Sequence, residues 1–239
     1  MLIQAALNGS RTQDENPAVP ISPAEIAASA NGAVAAGARE LHFHVRAADG
    51  RESVAPVDVA AAVSAVRAAA SGIRFGVSTG LWILPDAAKR HIAVAGWNVL
   101  PDYASVNIKE EGAVELAKVI LSRGMGIEAG FTDLRGVDVF LESGLAPRCL
   151  RVLLEPLEED FEAALQTVAA IESALDRGGV KISRLLHGFN QTAWDVIDAA
   201  VARGYDTRIG FEDILALPNG TPAPSNASLI SAALRRTKK

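Results

Sequence analysis

Residues 40–78 read ELHFHVRAADGRESVAPVDVAAAVSAVRAAASGIRFGVS. Two short runs of apolar residues, Glu40–Val45 and Arg74–Ser78, flank the longer Ala- and Val-rich segment Pro56–Ala70, whose apolar positions recur at helical spacing. Asp58, Ser64 and Arg67 interrupt that segment, as in a helix packed on one face. Gly72 follows it, where a left-handed residue commonly ends a helix. The stretch therefore reads as strand, helix, strand.

The same alternation continues in both directions. It predicts further strands over Leu2–Leu7, Tyr103–Ile108, Gly126–Ala129, Cys149–Leu154, Arg184–Leu186 and Thr207–Phe211. Further helices are predicted over Pro23–Ala36, Asp86–Ala95, Ala113–Arg123, Leu134–Ser143, Phe161–Asp176, Thr192–Arg203 and Asn226–Arg235. Ser22-Pro23-Ala24-Glu25 supplies a cap, a first-turn proline and a carboxylate three residues on. Gly37, Gly124, Gly144 and Gly204 close helices as Gly72 does. Eight units in 239 residues give about 30 residues each, the size of a unit in a closed (β/α)8 barrel. An open doubly wound sheet fits less well, because Leu7-Asn8-Gly9-Ser10-Arg11 carries one glycine where such a sheet places a glycine-rich phosphate turn. No linker divides the chain, so residues 1–239 are expected to form one barrel domain. The polar stretches Asn8–Asn16 and Pro218–Ser225 follow strands 1 and 8, neighbours in a barrel, and both fall on the rim that carries barrel active sites.

Composition narrows the function. With 49% hydrophobic residues, 21% charged residues and a net charge of −5, the chain is neither disordered nor a small disulfide scaffold. Basic residues cluster only at Arg235, Arg236, Lys238 and Lys239, which argues against nucleic acid. The opening residues MLIQAALNGSRTQDENP lack the basic-then-apolar pattern of a secretory leader, so none is expected, and no window approaches the roughly 18 apolar residues of a membrane span. The single cysteine, Cys149, forms no internal disulfide and fits a reducing cytoplasm.

The strongest chemical signal is His42-Phe43-His44. Strand alternation puts both imidazoles on the lumen face and Phe43 behind them. Two buried imidazoles need partners: other polar groups satisfy them, or a divalent ion of the zinc type accepts both neutral ring nitrogens. In Thr207-Arg208-Ile209-Gly210-Phe211-Glu212-Asp213 the same alternation turns Arg208, Gly210 and Glu212 inward. Strands 2 and 8 flank strand 1, so His42, His44 and Glu212 can meet at one ion with positions left open, as catalytic sites require. Gly210, lacking a side chain, leaves room for Arg208 to reach upward. Arg208 fits both a role toward the ion and a bridge to Asp213, Glu128 or Glu155. Polar residues recur at other strand ends: Asn8, Ser78 with Thr79, Ser105 with Asn107, Glu128, Glu155 and His187. His91 lies inside a helix and reads as a surface or packing residue.

These motifs resemble the β-keto acid cleavage enzyme family. The resemblance is carried by Asn8-Gly9-Ser10-Arg11-Thr12, Asn16-Pro17-Ala18-Val19-Pro20-Ile21-Ser22-Pro23-Ala24-Glu25-Ile26, Leu41-His42-Phe43-His44-Val45-Arg46, Pro101-Asp102-Tyr103-Ala104-Ser105-Val106-Asn107 and Arg208-Ile209-Gly210-Phe211-Glu212-Asp213. It implies a zinc-dependent barrel enzyme that, with acetyl-CoA, converts a β-keto acid into acetoacetate and a new CoA ester. It implies His42, His44 and Glu212 as zinc ligands, Arg208 and Asp213 as the pair that handles deprotonation, and Ser78 as a substrate-binding residue, with Ser105 and Asn107 beside it. An acidic residue before the Asn-Pro pair, Asp14 or Glu15 here, is implied to select the substrate. Homo-oligomers of barrels are also implied. Two departures stand out: Ala47 replaces an Asp common after the His motif, and Ile108-Lys109-Glu110-Glu111 replaces a Gly/Ser-rich loop. The shortened loop keeps open a zinc-assisted aldolase or lyase that works without CoA. A barrel that binds a small acid without catalysis is the remaining alternative.

Overall fold

Along most strands the residues that face the helices are apolar and those that face the lumen are largely polar, which is the pattern of a sheet closed on itself and wrapped by helices. In the computed structural model, which describes residues 1–237, Leu41, Phe43, Phe75, Val77, Ile127 and Val152 are buried outward, while Glu40, His42, Ser78, Glu128 and Arg151 are buried on the other face. Lys238 and Lys239, the end of the basic terminus, lie outside the described residues. Eight parallel strands form the ring in sequence order: β1 (Ile3–Ala6), β2 (Glu40–Phe43), β3 (Arg74–Ser78), β4 (Tyr103–Asn107), β5 (Gly126–Phe131), β6 (Arg151–Leu154), β7 (Arg184–Leu186) and β8 (Asp206–Ile209). β8 pairs with β1 through Ile3 and Thr207, Gln4 and Arg208, and Ala5 and Ile209, which closes the (β/α)8 barrel.

The helices follow in turn: α1 (Pro23–Ala35), α2 (Pro56–Ala69), α3 (Ala87–Ala95), α4 (Ala113–Ser122), α5 (Val137–Ser143), α6 (Phe161–Arg177), α7 (Ala193–Arg203) and α8 (Asn226–Arg236). Their inward residues, among them Ile26, Val63, Leu116, Ile120, Val168, Ile171, Ile197 and Leu229, are fully buried against the strands. Ser22 and Glu25 form the reciprocal cap that the sequence predicts at α1. The five helix-closing glycines all have positive φ. No helix among the described residues is long and apolar enough to cross a membrane.

Most boundaries fall within two residues of the sequence pattern, and two differences bear on the site. β8 stops at Ile209 and not at Phe211, because the chain turns at Gly210: Asp213 N and Ile214 N both donate to Gly210 O, at 2.9 and 3.0 Å. Glu212 is thus delivered by a turn. The expectation that Gly210 leaves room for Arg208 is also corrected. A β carbon on Gly210 would lie 1.8 Å from Ala6 O, so the backbone of β1 occupies that space. The loops after β1 and β8 do share a rim, where Asn16 Nδ2 donates to Ala223 O at 3.0 Å.

Candidate metal centre and cavity

Asn8 builds the first wall of the site. Its amide replaces a strand partner at the end of β2: His44 N donates to Asn8 Oδ1 at 2.8 Å, and Asn8 Nδ2 donates to His44 O at 2.9 Å and Pro20 O at 3.0 Å. His44 lies one residue beyond β2, and this pairing fixes its backbone as a ladder would. Gly9 comes next, with φ +54°, and a β carbon there would lie 2.4 Å from Glu212 Cγ. Only glycine meets both conditions at this position.

The three donors converge. His42 Nε2 lies 3.6 Å from Glu212 Oε2, and His44 Nε2 lies 3.4 Å from Glu212 Oε1. One ligand atom from each of the three residues lies within 4.8 Å of the others. Glu52 Oε2 lies 3.3 Å from the far nitrogen of His44, Nδ1, and accepts a hydrogen bond from Trp82 Nε1 at 2.7 Å. This is the arrangement by which a carboxylate orients a ligand imidazole. Arg208 Nη2 donates to Glu212 Oε1 and to Asp213 Oδ1, both at 2.8 Å. Behind it, His187 Nδ1 is 3.2 Å from Asp213 Oδ1, and His187 Nε2 is 3.6 Å from Glu155 Oε2.

Burial sets the charge states. It pushes His42 down to about 4, helped by Arg208 and His44 and opposed by Glu212, so this imidazole is neutral and ready to donate a lone pair. Burial works against protonation of His44 too, but Glu212 and Glu52 outweigh it and raise that group to about 9. Burial favours a neutral Glu212, yet Arg208 and the two imidazoles hold its carboxyl well below the usual range. His42 Nδ1 and Glu212 Oε2 are buried without hydrogen-bond partners. Two imidazoles, an ionised carboxylate and orphaned donor atoms fit a divalent ion of the zinc type, which would take the place of the proton on His44.

Of the residues singled out in the sequence, His42, His44, Glu15, Ser78, Ser105, Asn107, Arg208 and Glu212 line one cavity of about 450 Å³ at the C-terminal rim. Asp213 is fully buried one layer behind and meets the cavity through Arg208. Asp14 is exposed and is not among the lining residues. Glu15 accepts from Arg11 Nη1 at 2.9 Å and from Thr12 N at 2.8 Å; the Arg11 bond holds its carboxyl below the ordinary value. Glu52 and Trp82 escaped the sequence reading. A signal for Glu52 existed in Asp49-Gly50, a hairpin turn that sets Ser53 N on Val45 O at 2.9 Å and brings Glu52 beside His44. His91, as expected, is peripheral, with Nε2 2.9 Å from Gly112 O.

An eight-stranded barrel that gathers two imidazoles and a carboxylate around a rim cavity has the makeup of a metal-dependent barrel enzyme. A model of the beta-keto acid cleavage enzyme family matches residues 1–239, and the chain belongs to that family. It is 24% identical over 264 residues to the 3-keto-5-aminohexanoate cleavage enzyme of Fusobacterium nucleatum subsp. nucleatum, covering 100% of this chain and 92% of that protein. It is likewise 24% identical over 262 residues to the enzyme of that name from Acetoanaerobium sticklandii, with the same coverage. Among solved structures, a ternary complex of ObcA with a C4-CoA adduct and oxalate superposes with a TM-score of 0.73 at 15% identity. That match covers 92% of this chain and 64% of ObcA, so the barrel spans less than two thirds of that protein.

Proposed function

We propose that the protein is a zinc-dependent β-keto acid cleavage enzyme that uses acetyl-CoA and releases acetoacetate and a new acyl-CoA. The observation that carries this reading is the convergence of His42, His44 and Glu212 within 4.8 Å on a cavity that Arg208 also lines. A zinc ion held there supplies a Lewis acid for the keto and carboxylate oxygens of the substrate.

The protein's own groups do the rest. Arg208, kept firmly charged because Asp213 and Glu212 outweigh the effect of burial, places fixed positive charge where enolate charge develops. A guanidinium so held is a poor base on its own, so the Arg208–Asp213 pair acts as a unit: Arg208 faces the substrate and relays the proton to Asp213 behind it, whose Oδ2 is buried without a partner. Ser78, Ser105 and Asn107 orient the keto acid, and Glu15, the one of the two acidic candidates that lines the cavity, selects its tail. The carbanion at C2 attacks the thioester carbonyl of acetyl-CoA and expels the CoA thiolate; the thiolate then attacks the original keto carbon, C3, the C2–C3 bond breaks, and the C1–C2 unit now carrying the acetyl group leaves as acetoacetate while the remaining acyl group leaves on CoA. The C4-CoA adduct named for ObcA supports a CoA-bearing partner. The single buried Cys149 supports a cytoplasmic setting, and the exposed apolar residues Val57, Ile92 and Val139 support homo-oligomerisation.

A second reading, cleavage without CoA, is favoured by the loop after β4. Glu110 there ties Asn107 Nδ2 at 3.0 Å, Leu81 N at 2.9 Å and Arg90 into a closed turn. Metal analysis of the purified protein and a β-keto acid panel with and without acetyl-CoA test both. One zinc per chain and turnover dependent on acetyl-CoA are expected, with His44→Ala losing metal and turnover while keeping its melting temperature. Normal metal content in that variant removes His44 from the ligand set. Turnover that ignores acetyl-CoA favours the second reading, and zinc without any turnover favours a binding barrel.

A further inference from the structure

Away from the metal ligands and Arg208, the charged residues that line the rim cavity are Arg11, Glu15 and Glu155. Glu155 faces His187 Nε2 at 3.6 Å. Arg11 and Glu15 engage each other: Arg11 Nη1 donates to Glu15 Oε1 at 2.9 Å, and Thr12 donates to the other oxygen, Oε2, from its N at 2.8 Å and its Oγ1 at 3.2 Å. The second arm of the guanidinium, Nη2, donates to Asn190 Oδ1. Asn190 is fixed for this contact. Among the described residues it is the one residue other than glycine with a positive φ, +47°, and its N donates to Asp213 O at 2.7 Å. Arg11 thus crosses from the loop after β1 to the loop after β7, spanning the β8 turn that lies between them and delivers Glu212. Gly9, two residues before Arg11, packs on Glu212 itself, so the Arg11–Glu15 pair belongs to the metal's side of the cavity. Beside the pair the lining is apolar: the ring centroid of Phe189, next to Asn190, lies 5.9 Å from the guanidinium carbon of Arg208, and Leu157, on the loop after β6, lines the cavity while 57% exposed.

A carboxylate at the mouth of a cavity ordinarily receives a cation, but here the cation is part of the protein. An ammonium on the tail of a substrate must compete with Arg11 for Glu15, and a carboxylate on the tail must compete with Glu15 for Arg11. Either exchange leaves one protein charge without its partner in a site from which bound substrate excludes water. An uncharged tail breaks neither contact and covers Phe189 and Leu157 instead. We propose that the protein acts on β-keto acids whose tail beyond the keto carbon is uncharged, and that Arg11 sets this choice by occupying Glu15. The inference rests on the reading that a β-keto acid is gripped at His42, His44 and Glu212, and it makes Arg11 a specificity-determining residue of that site.

The test uses the zinc-loaded full chain with acetyl-CoA and a series of acids of equal chain length that differ in the tail: β-ketohexanoate, 3-keto-5-hydroxyhexanoate, 3-keto-5-aminohexanoate and β-ketoadipate. The two uncharged acids are expected to exceed the other two in kcat/KM by roughly tenfold or more, and the hydroxyl acid sets the comparison because it matches the amino compound in shape. Arg11→Met frees Glu15 and is expected to raise 3-keto-5-aminohexanoate by roughly tenfold relative to its hydroxyl analogue. Glu15→Gln frees Arg11 and is expected to raise β-ketoadipate relative to β-ketohexanoate. Zinc content and melting temperature are expected to hold in both variants, since both side chains are partly exposed. A native protein that turns over either charged acid as fast as the uncharged ones, or faster, overturns the uncharged-tail class and leaves the proposed function standing. An Arg11→Met variant that keeps the native ratios among the acids overturns Arg11 as their determinant, whereas a merely structural role would slow all of them alike. No turnover of any of these acids, with or without acetyl-CoA, overturns the β-keto acid reading, and the inference with it.

Discussion

The barrel buries charge in two layers, and they are built to opposite rules. In the lower layer two carboxylates face two guanidiniums: Arg151 Nε donates to Glu128 at 2.7 Å, Arg151 also pairs with Glu40, and Glu40 pairs with Arg74. Gln4 Nε2 joins this layer to Tyr103 at 2.8 Å and Glu128 at 3.0 Å. None of these residues lines the rim cavity. In the upper layer four carboxylates, Glu52, Glu155, Glu212 and Asp213, stand among two buried guanidiniums, Arg208 and Arg46, and the imidazoles of His42, His44 and His187. Balanced charge below makes a floor that needs nothing more. Surplus carboxylate above, beside imidazoles with orphaned nitrogens, is a layer that a divalent cation completes. A buried ion pair is thus poor guidance to function until its surroundings are counted.

The largest expected effect falls on the floor. Arg151→Met leaves Glu40 and Glu128 buried without their shared partner and is expected to cost about 3–5 kcal/mol, read by urea unfolding, with metal stoichiometry unchanged. Metal loss in that variant would show that the two layers are one unit. Next comes Gly9→Ala, which strains the left-handed backbone by about 1–2 kcal/mol and drives a methyl into Glu212. Here metal binding is expected to fail, read by metal analysis, while the floor stays intact. Glu52→Gln is milder: it is expected to weaken zinc binding roughly 10–100-fold in a chelator competition, without altering the melting temperature, because Glu52 orients a ligand and does not replace one.

The smallest effect is a pH dependence. Burial works to raise Glu128, but Arg151 outweighs it and holds the carboxyl below its ordinary value of 4.5. A carboxylate depressed on folding contributes stability that is present above its unfolded pKa and lost as pH falls through the folded value. The urea midpoint is therefore expected to hold near neutrality and to decline below about pH 4.5, with a shallower decline in Arg151→Met. An identical acid slope in both proteins would remove Arg151 as the cause.

The floor and the rim were not equally legible. The strands and helices followed from alternation and capping because the barrel's outward face is continuously apolar, from Leu41 to Val152. His42, His44 and Glu212 could be grouped because they attach at or just past the ends of the two strands that flank β1. Arg151 and Glu40 gave no hint of each other: they stand on β6 and β2, and their pairing across the lumen depends on which residues share a layer. Glu52 was hidden for another reason, since a loop residue is placed by turn geometry that hydrophobic periodicity does not record.

The clamp of Asn8 on His44 and the seating of Glu212 against Gly9 both lie on the seam where β8 closes onto β1. Two imidazoles are on hand early in synthesis, but the third donor arrives only when the last strand docks. Capture of a divalent ion at this site would thereby report ring closure: a nascent or proteolytically opened barrel, short of its final segment, would have no complete coordination sphere with which to compete for metal.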